Sequence, residues 1–318
     1  MCYDNRYSSV CGKEWFPVLI DTHAHLSHHQ FDAQFPYLAR EGDAFVLRTG
    51  TRAQVIRELR AAGVGACVEP AIGFSSNRRL LALAAEYPGF VYPAVGVHPT
   101  RTYLAHTVDD RGRKVVERLH WAQRRELEAL AEDPAVVAIG ETGLDYHLAR
   151  KEQHRLRQKV WFVWQLHLAH QKHLPVILHV RKADKDVLAI LRRHRRWLHG
   201  GVCHCFGGGP ELAAAYTDLG LKLGIGGALL EQSGRLPALE EAVARTPLES
   251  ILLETDAPYV KPSCPDLPRK RLRKARNTGL ILPAVARRVA ELKGLTPEEV
   301  ARATTRNAAE LFRLGKVE

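Results

Sequence analysis

Nowhere in the sequence do eighteen apolar residues run together, so it offers no hydrophobic helix long enough to cross a bilayer. Residues 1–16, MCYDNRYSSVCGKEWF, lack the basic stretch and apolar core by which a secretory leader is recognised; the expectation is a soluble, cytoplasmic chain that engages no membrane. The six cysteines, Cys2, Cys11, Cys67, Cys203, Cys205 and Cys264, show neither a regular spacing nor a CxxC pair, which argues against a disulfide scaffold and for a reducing compartment. There is no GxGxxG turn after the first strand-like run, where a dinucleotide-binding fold needs close backbone approach to a pyrophosphate. Internal repeats and low-complexity tracts are also missing. Acidic residues are outnumbered, 35 against 46 Lys and Arg, and a net charge of +11 attracts phosphate-rich partners, although such a balance also simply keeps a protein soluble.

What is present is alternation. Short apolar runs bounded by Gly and Pro recur at Pro17 to Asp21, Val64 to Ala71, Val91 to Val97, Val136 to Gly140, Pro175 to Val180, Gly201 to Phe206, Leu221 to Ile225 and Ser250 to Glu254. Helical periodicity falls between them, at Arg52 to Ala62, Asn77 to Glu86, Leu119 to Glu132, Glu152 to Lys172, Asp184 to His194, Pro210 to Leu219 and Pro237 to Arg245. Parallel strands need crossover helices, and eight such units favour an α/β fold closed as a (β/α)8 TIM barrel over an open doubly wound sheet. Two connections, Ser27 to Gly50 and Pro99 to Lys114, are too long for a minimal barrel. Both follow the C-terminal end of a strand, the end at which barrels place their chemistry, so they are expected as enlarged loops shaping a groove. After Asp256 comes a Pro-rich, basic connection, then helices at about Leu282 to Leu292, Pro297 to Thr304 and Asn307 to Leu314. The expected organisation is an N-terminal extension, residues 1–16, and a single barrel domain, 17–318.

Ligand-type side chains gather at the strand ends. In VLIDTHAHL an extended backbone sends His23 and His25 to one side, where both imidazoles can reach one ion. Glu141 in VVAIGETGLDY, His179 in LPVILHVR, His204 in GVCHCF and Asp256 in SILLETDAP each follow an apolar run. A lone carboxylate or imidazole there would carry an uncompensated desolvation cost, which coordination offsets. Glu141 can bridge two divalent cations, with His23 and His25 on one side and His179 and His204 on the other, holding a water that attacks while Asp256 accepts its proton. The rival reading of each residue alone is a polar group satisfied by a nearby loop.

Together IDTHAHL, VGVHP, IGETGLDY, PVILHVR, CHCF, LGIGG and LLETDAPY resemble the TatD family of metal-dependent deoxyribonucleases, from about Val18 to Leu314. The resemblance implies a TIM-barrel hydrolase of the amidohydrolase kind, a nuclease dependent on magnesium or manganese, with zinc as a further candidate, and often a 3′-to-5′ exonuclease. It also implies that His23, His25, Glu141 and Asp256 hold one metal while Glu141, His179 and His204 hold the other. The implied substrate is DNA, with RNA a second nucleic acid partner. Departures from the family pattern surround the ligands: Ser27 stands where an aspartate is usual, the first loop is enlarged, and ARNTGL keeps only Asn277 of the C-terminal motif. Alternatives on the same centre are ester cleavage, as in the similar D-aminoacyl-tRNA deacylases, and amide hydrolysis. A non-catalytic binding protein is the third class.

Other residues have two readings each. His98 in GVHP points toward the same mouth as a phosphate donor or caps the turn before Pro99. Arg181, two beyond His179, is a candidate for bidentate phosphate binding or a surface ion pair. Alternation sends Cys203 and Cys205 away from His204, as buried thiols. His154, His167, His170 and His173 read as a solvated face of a long helix. RKRLRKAR, Arg269 to Arg276, reads as a basic border that guides a phosphate backbone, against a merely solvated loop.

Overall fold

A computed structural model describes residues 18–102, 107–108, 114–115, 121–231 and 236–315. The extension at 1–16, with Cys2 and Cys11, and much of the second long connection lie outside them. All eight expected strands form and join one sheet: β1 (Leu19–Asp21), β2 (Val64–Pro70), β3 (Val91–Val95), β4 (Ala138–Asp145), β5 (Val176–Arg181), β6 (Gly201–Cys203), β7 (Lys222–Ile225) and β8 (Ile251–Leu253). Each pairs in parallel with its sequence neighbours. The ring closes just beyond β1 and β8, where the Thr22 amide donates to the Leu253 carbonyl at 3.0 Å, the Asp256 amide donates to the His23 carbonyl at 2.8 Å, and Ala24 bridges Ala257.

Crossovers are made by α1 (Arg52–Ala61), α2 (Phe74–Glu86), α3 (Trp121–Leu130), α4 (Glu152–Lys172), α5 (Asp184–Arg193), α6 (Pro210–Thr217) and α7 (Pro237–Arg245). Because strand side chains alternate, Ile20, Ala66, Val68, Ala94, Ala138, Ile177, Val202 and Leu252 fill the barrel interior. Small residues among them leave room for Ala308 and Phe312, which enter from below.

Those two belong to α10 (Pro297–Phe312), which follows α8 (Arg269–Lys274) and α9 (Leu282–Lys293). The two helices expected over 297–314 are therefore one. Its start is set by Pro297 in the first turn and a capping box between Thr296 and Glu299. No breaker interrupts Thr304 to Asn307, because their side chains find partners: Thr304 donates to the Val300 carbonyl, and the Asn307 amide donates to the Leu248 and Ile251 carbonyls, at 2.9 Å each. With Thr305 donating to the Val18 carbonyl, α10 closes the N-terminal end of the barrel.

One further expectation gains detail and two are corrected. The loop after β1 contains a regular antiparallel hairpin, Phe35–Glu41 with Ala44–Gly50, turning at Gly42 in the left-handed region (φ 59°) that glycine adopts without steric cost. It is stitched to the segment beyond the barrel, since the Leu38 amide donates to Arg276 and the Arg276 amide to Pro36, with Leu38 packed on Cys264 and Ala275. Glu141 is not at a strand end: β4 continues through it to Asp145, pairing Gly143 with His179 after a register shift. The basic run is helical over Arg269–Lys274 rather than a loop.

Truncating the plug tests its contribution. Phe312 is 1% exposed, so Phe312→Ala should lower stability by about 3–5 kcal/mol, as core Phe deletions do. Urea melts should show a lower midpoint, and an unshifted one would mean that the ring does not support the barrel floor.

Candidate metal centre

Because every strand runs in the same direction, the side chains at their C-terminal ends meet at the opposite mouth from α10. Glu141 stands at their centre, 3% exposed. Its Oε1 lies 2.8 Å from both His179 Nδ1 and His204 Nε2, and its Oε2 lies 3.7 Å from His23 Nε2 and 3.9 Å from His25 Nε2. Asp256 Oδ1 faces the second pair, 3.7 Å from His23 Nε2 and 3.4 Å from His25 Nε2. The six residues expected to converge therefore do so, as a carboxylate with one pair of imidazoles on each oxygen. Asp256 reaches its position with a positive φ of 53°, a conformation that aspartate tolerates better than most residues and that recurs at functional turns.

Local hydrogen bonds aim the rings. His25 Nδ1 donates to the Pro70 carbonyl at 3.0 Å, which turns Nε2 toward the centre. His179 turns Nε2 to Asp145 at 3.2 Å and Nδ1 inward. His204 lies with Nδ1 3.8 Å from Glu254 and Nε2 inward. At His98, Nδ1 accepts from the Thr100 amide at 3.1 Å and lies 2.7 Å from its hydroxyl, so the proton sits on Nε2, 3.6 Å from Glu141. Behind the rings Asp21 ties the two sides of the closure, accepting from the His23 amide and, at 2.7 Å, from the Thr255 hydroxyl. Gly224 leaves the space that Glu254 occupies, since a Cβ there would fall 2.0 Å from its Oε2.

The donor set fits small divalent cations. His23 Nε2 and His25 Nε2 are 3.3 Å apart and His179 Nδ1 and His204 Nε2 are 3.2 Å apart, the spacing of neighbouring donors held about 2.1 Å from a shared ion. Aimed at one another without a cation, such nitrogens must share protons. Burial drives His23 well below its ordinary range, with the charge on His204 acting the same way. Burial also opposes the charge on His25 and His179, yet each rises to about 9, through Asp256 and then Glu141 for His25, and through Asp145 and Glu141 for His179. Burial would raise Glu141, but the charges of His204 and His98 and bonds from His179 and His204 hold it well below the carboxylate range. Burial lowers His98 to about 3, helped by the charge on His179, so its imidazole is neutral near pH 7. The carboxylates thus draw positive charge into a desolvated mouth, a charge that a divalent cation would also supply.

Some residues fall elsewhere or were not foreseen. Arg181 is exposed at the end of β5. Cys203 is buried as expected but Cys205 is exposed, because β6 stops at Cys203 and the chain turns at Cys205 with φ 49°, so strand alternation no longer applies. The helix histidines are not purely solvated: His170 Nδ1 lies 3.1 Å from His199 Nε2. Asp145, Asp21, Glu69 and Glu254 were not expected. Asp145 was discoverable, since alternation from Glu141 through Gly143 puts it on the same side of β4.

Comparison with known proteins matches the family described as TatD related DNase over residues 20–313. An uncharacterized metal-dependent hydrolase, YabD of Bacillus subtilis strain 168, is 32% identical over 297 residues, covering 93% of this chain and 100% of that protein. The 3′-5′ ssDNA/RNA exonuclease TatD of Edwardsiella piscicida is 34% identical over 266 residues, covering 84% and 95%. Among solved structures, YJJV, a TatD homologue from Escherichia coli K12, superposes with a TM-score of 0.72 at 28% identity, covering 93% and 98%.

The raised imidazoles give a pH signature. In chelator, the stability contributed by protonated His25 and His179 is complete below their unfolded value of 6.5 and is lost as pH rises to about 9. With saturating manganese the trend should invert over the same window, because coordination needs unprotonated nitrogens. Melting temperatures at pH 6.5, 8 and 9, with and without the ion, check this; parallel curves would contradict it.

Proposed function

The chain belongs to the TatD family of metal-dependent hydrolases, and from that premise we propose that its centre holds two divalent cations, magnesium or manganese before zinc, and removes nucleotides from the 3′ end of single-stranded DNA and RNA. The observation that carries this reading is Glu141, whose two oxygens each face a separate pair of imidazoles. A carboxylate placed that way would serve two ions, with His23, His25 and Asp256 holding one and His179 and His204 the other. Relatives about a third identical that carry the name 3′-5′ ssDNA/RNA exonuclease support the choice of substrate. Bound cations supply Lewis acidity to a phosphodiester and make water ionise near neutral pH.

The chain's own groups do the rest. The Asp256 carboxylate, 17% exposed, faces the histidines with one oxygen and is the acceptor for the proton of the attacking water. His98, neutral with its proton on Nε2, donates to a phosphate oxygen beside Glu141. Arg181, exposed at the end of β5, would hold a neighbouring phosphate. On α8, Arg269, Lys270, Arg271, Arg273 and Lys274 are all exposed and attract the approaching strand.

Oligonucleotides labelled at either end, single- and double-stranded, under a panel of metals, test the reading. The wild type should shorten 5′-labelled single strands stepwise with magnesium or manganese. Asp256→Asn should lower kcat by about 10²–10⁴-fold, the usual worth of a positioned base, and Glu141→Gln should reduce the metal bound per chain by mass spectrometry. A ladder that persists unchanged in both variants, or none with any metal, would overturn the proposal. Replacing Arg271, Arg273 and Lys274 by Gln should flatten the salt dependence of binding by up to about 2 in log–log slope; an unchanged slope removes α8 from the substrate path.

A further inference from the structure

At the other end of the barrel the chain carries a second concentration of positive charge. The sequence from Arg192 to Trp197, RRHRRW, spans the last turn of α5 and a short 3-10 turn before β6. Since α5 starts near the mouth and returns the chain to the start of β6, this segment lies on the face that α10 closes. The neighbouring Gly200 confirms the placement, because a Cβ there would meet the Leu311 side chain at 2.8 Å.

Arg192, Arg193, Arg195 and Arg196 are all exposed, and among the described residues none has a carboxylate within ion-pair distance. The polar contact made by their side chains is from Arg195 to the Asp218 carbonyl at 3.3 Å. The α5 dipole accounts for cations on its last turn, Arg192 and Arg193, but not for Arg195 and Arg196 beyond it. These four, with His194 and Trp197, line a concavity of about 670 Å³, one wall of which is the His194 ring stacked on Trp197 with centroids 4.2 Å apart.

We propose that this concavity is a second binding site for the sugar-phosphate backbone of a single-stranded nucleic acid, separate from the mouth. Guanidinium groups suit it, because each can hold two phosphate oxygens at once. An anionic membrane is the other chemistry that arginines recognise, but a surface that docks on lipid also inserts apolar side chains. The exposed large hydrophobics of the described residues, Leu148, Leu156, Val160, Tyr259 and Leu295, lie outside this segment. A strand held here while its end lies in the mouth would stay on the protein between cleavages, so long substrates gain where short ones do not.

The test uses the full chain in chelator, without turnover, and therefore separates this site from the nuclease reading: a protein that binds through the patch yet degrades nothing sinks that reading alone. Arg192→Gln, Arg193→Gln and Arg196→Gln together leave the Arg195 contact intact. Binding of forty- and six-nucleotide oligothymidylates is measured across a salt series. The expected result is a roughly tenfold drop in the ratio of long- to short-strand affinity and a log–log salt slope for the long strand smaller by about 2. A control triple on the outer helices α1, α3 and α4, Arg57→Gln, Arg125→Gln and Arg157→Gln, removes equal charge elsewhere and should retain both. Unchanged ratio and slope, an equal loss in the control, or loss of binding to phosphatidylserine vesicles with long-strand binding retained, would each overturn the proposal.

Discussion

The mouth of this barrel is organised by the cost of keeping a carboxylate ionised where water is scarce. Glu141 is 3% exposed and its charge persists only because imidazoles crowd both oxygens. Four more carboxylates, Asp21, Glu69, Asp145 and Glu254, are buried around the same ring of strand ends. Burial lifts Asp21 to about 7 and Glu254 to about 8, so in the absence of a cation these groups hold protons well above their ordinary range. His23 Nδ1, His204 Nδ1, Glu69 Oε2 and Glu254 Oε2 are buried without a hydrogen-bond partner. So many half-compensated polar groups do not arise from selection for stability alone.

The two ends of the barrel divide the work. At the floor, apolar side chains from alternate strand positions meet Phe312 and Ala308, and the backbone carbonyls left at the closure are taken by Thr305 and Asn307. At the mouth the chain accepts positive φ at Asp256, Cys205 and Lys182, each just past a strand. The packed floor can sustain the polar mouth because the same eight strands run through both.

How far the sequence could be read follows from how local each signal is. Strand and helix alternation depends on residues a few positions apart, so the barrel and its eight strands were legible, as were the limits of α4 and α7. The six convergent residues were legible because strand direction alone carries them to one end. The hairpin at 35–50 was missed although its alternation is local, since it interrupts the repeating unit rather than extending it. The extension of β4 through Glu141 was missed because the apolar run ends at Gly140, while the pairing with β5 that sustains the strand is supplied from 36 residues away. Cys205 was misplaced because alternation was carried two residues past the end of β6.

By itself, the sequence determined the fold class, the family and the set of side chains available at the mouth, since these rest on patterns within single strands and on residue identity. Only the tertiary structure decided that Glu141 offers one oxygen to each histidine pair, which nitrogen of each ring faces inward, and which buried acids stand behind them. Those depend on distances of about 3 Å between residues as far apart as His23 and Asp256, and no local propensity encodes a separation of that kind; it is set by closure of the barrel.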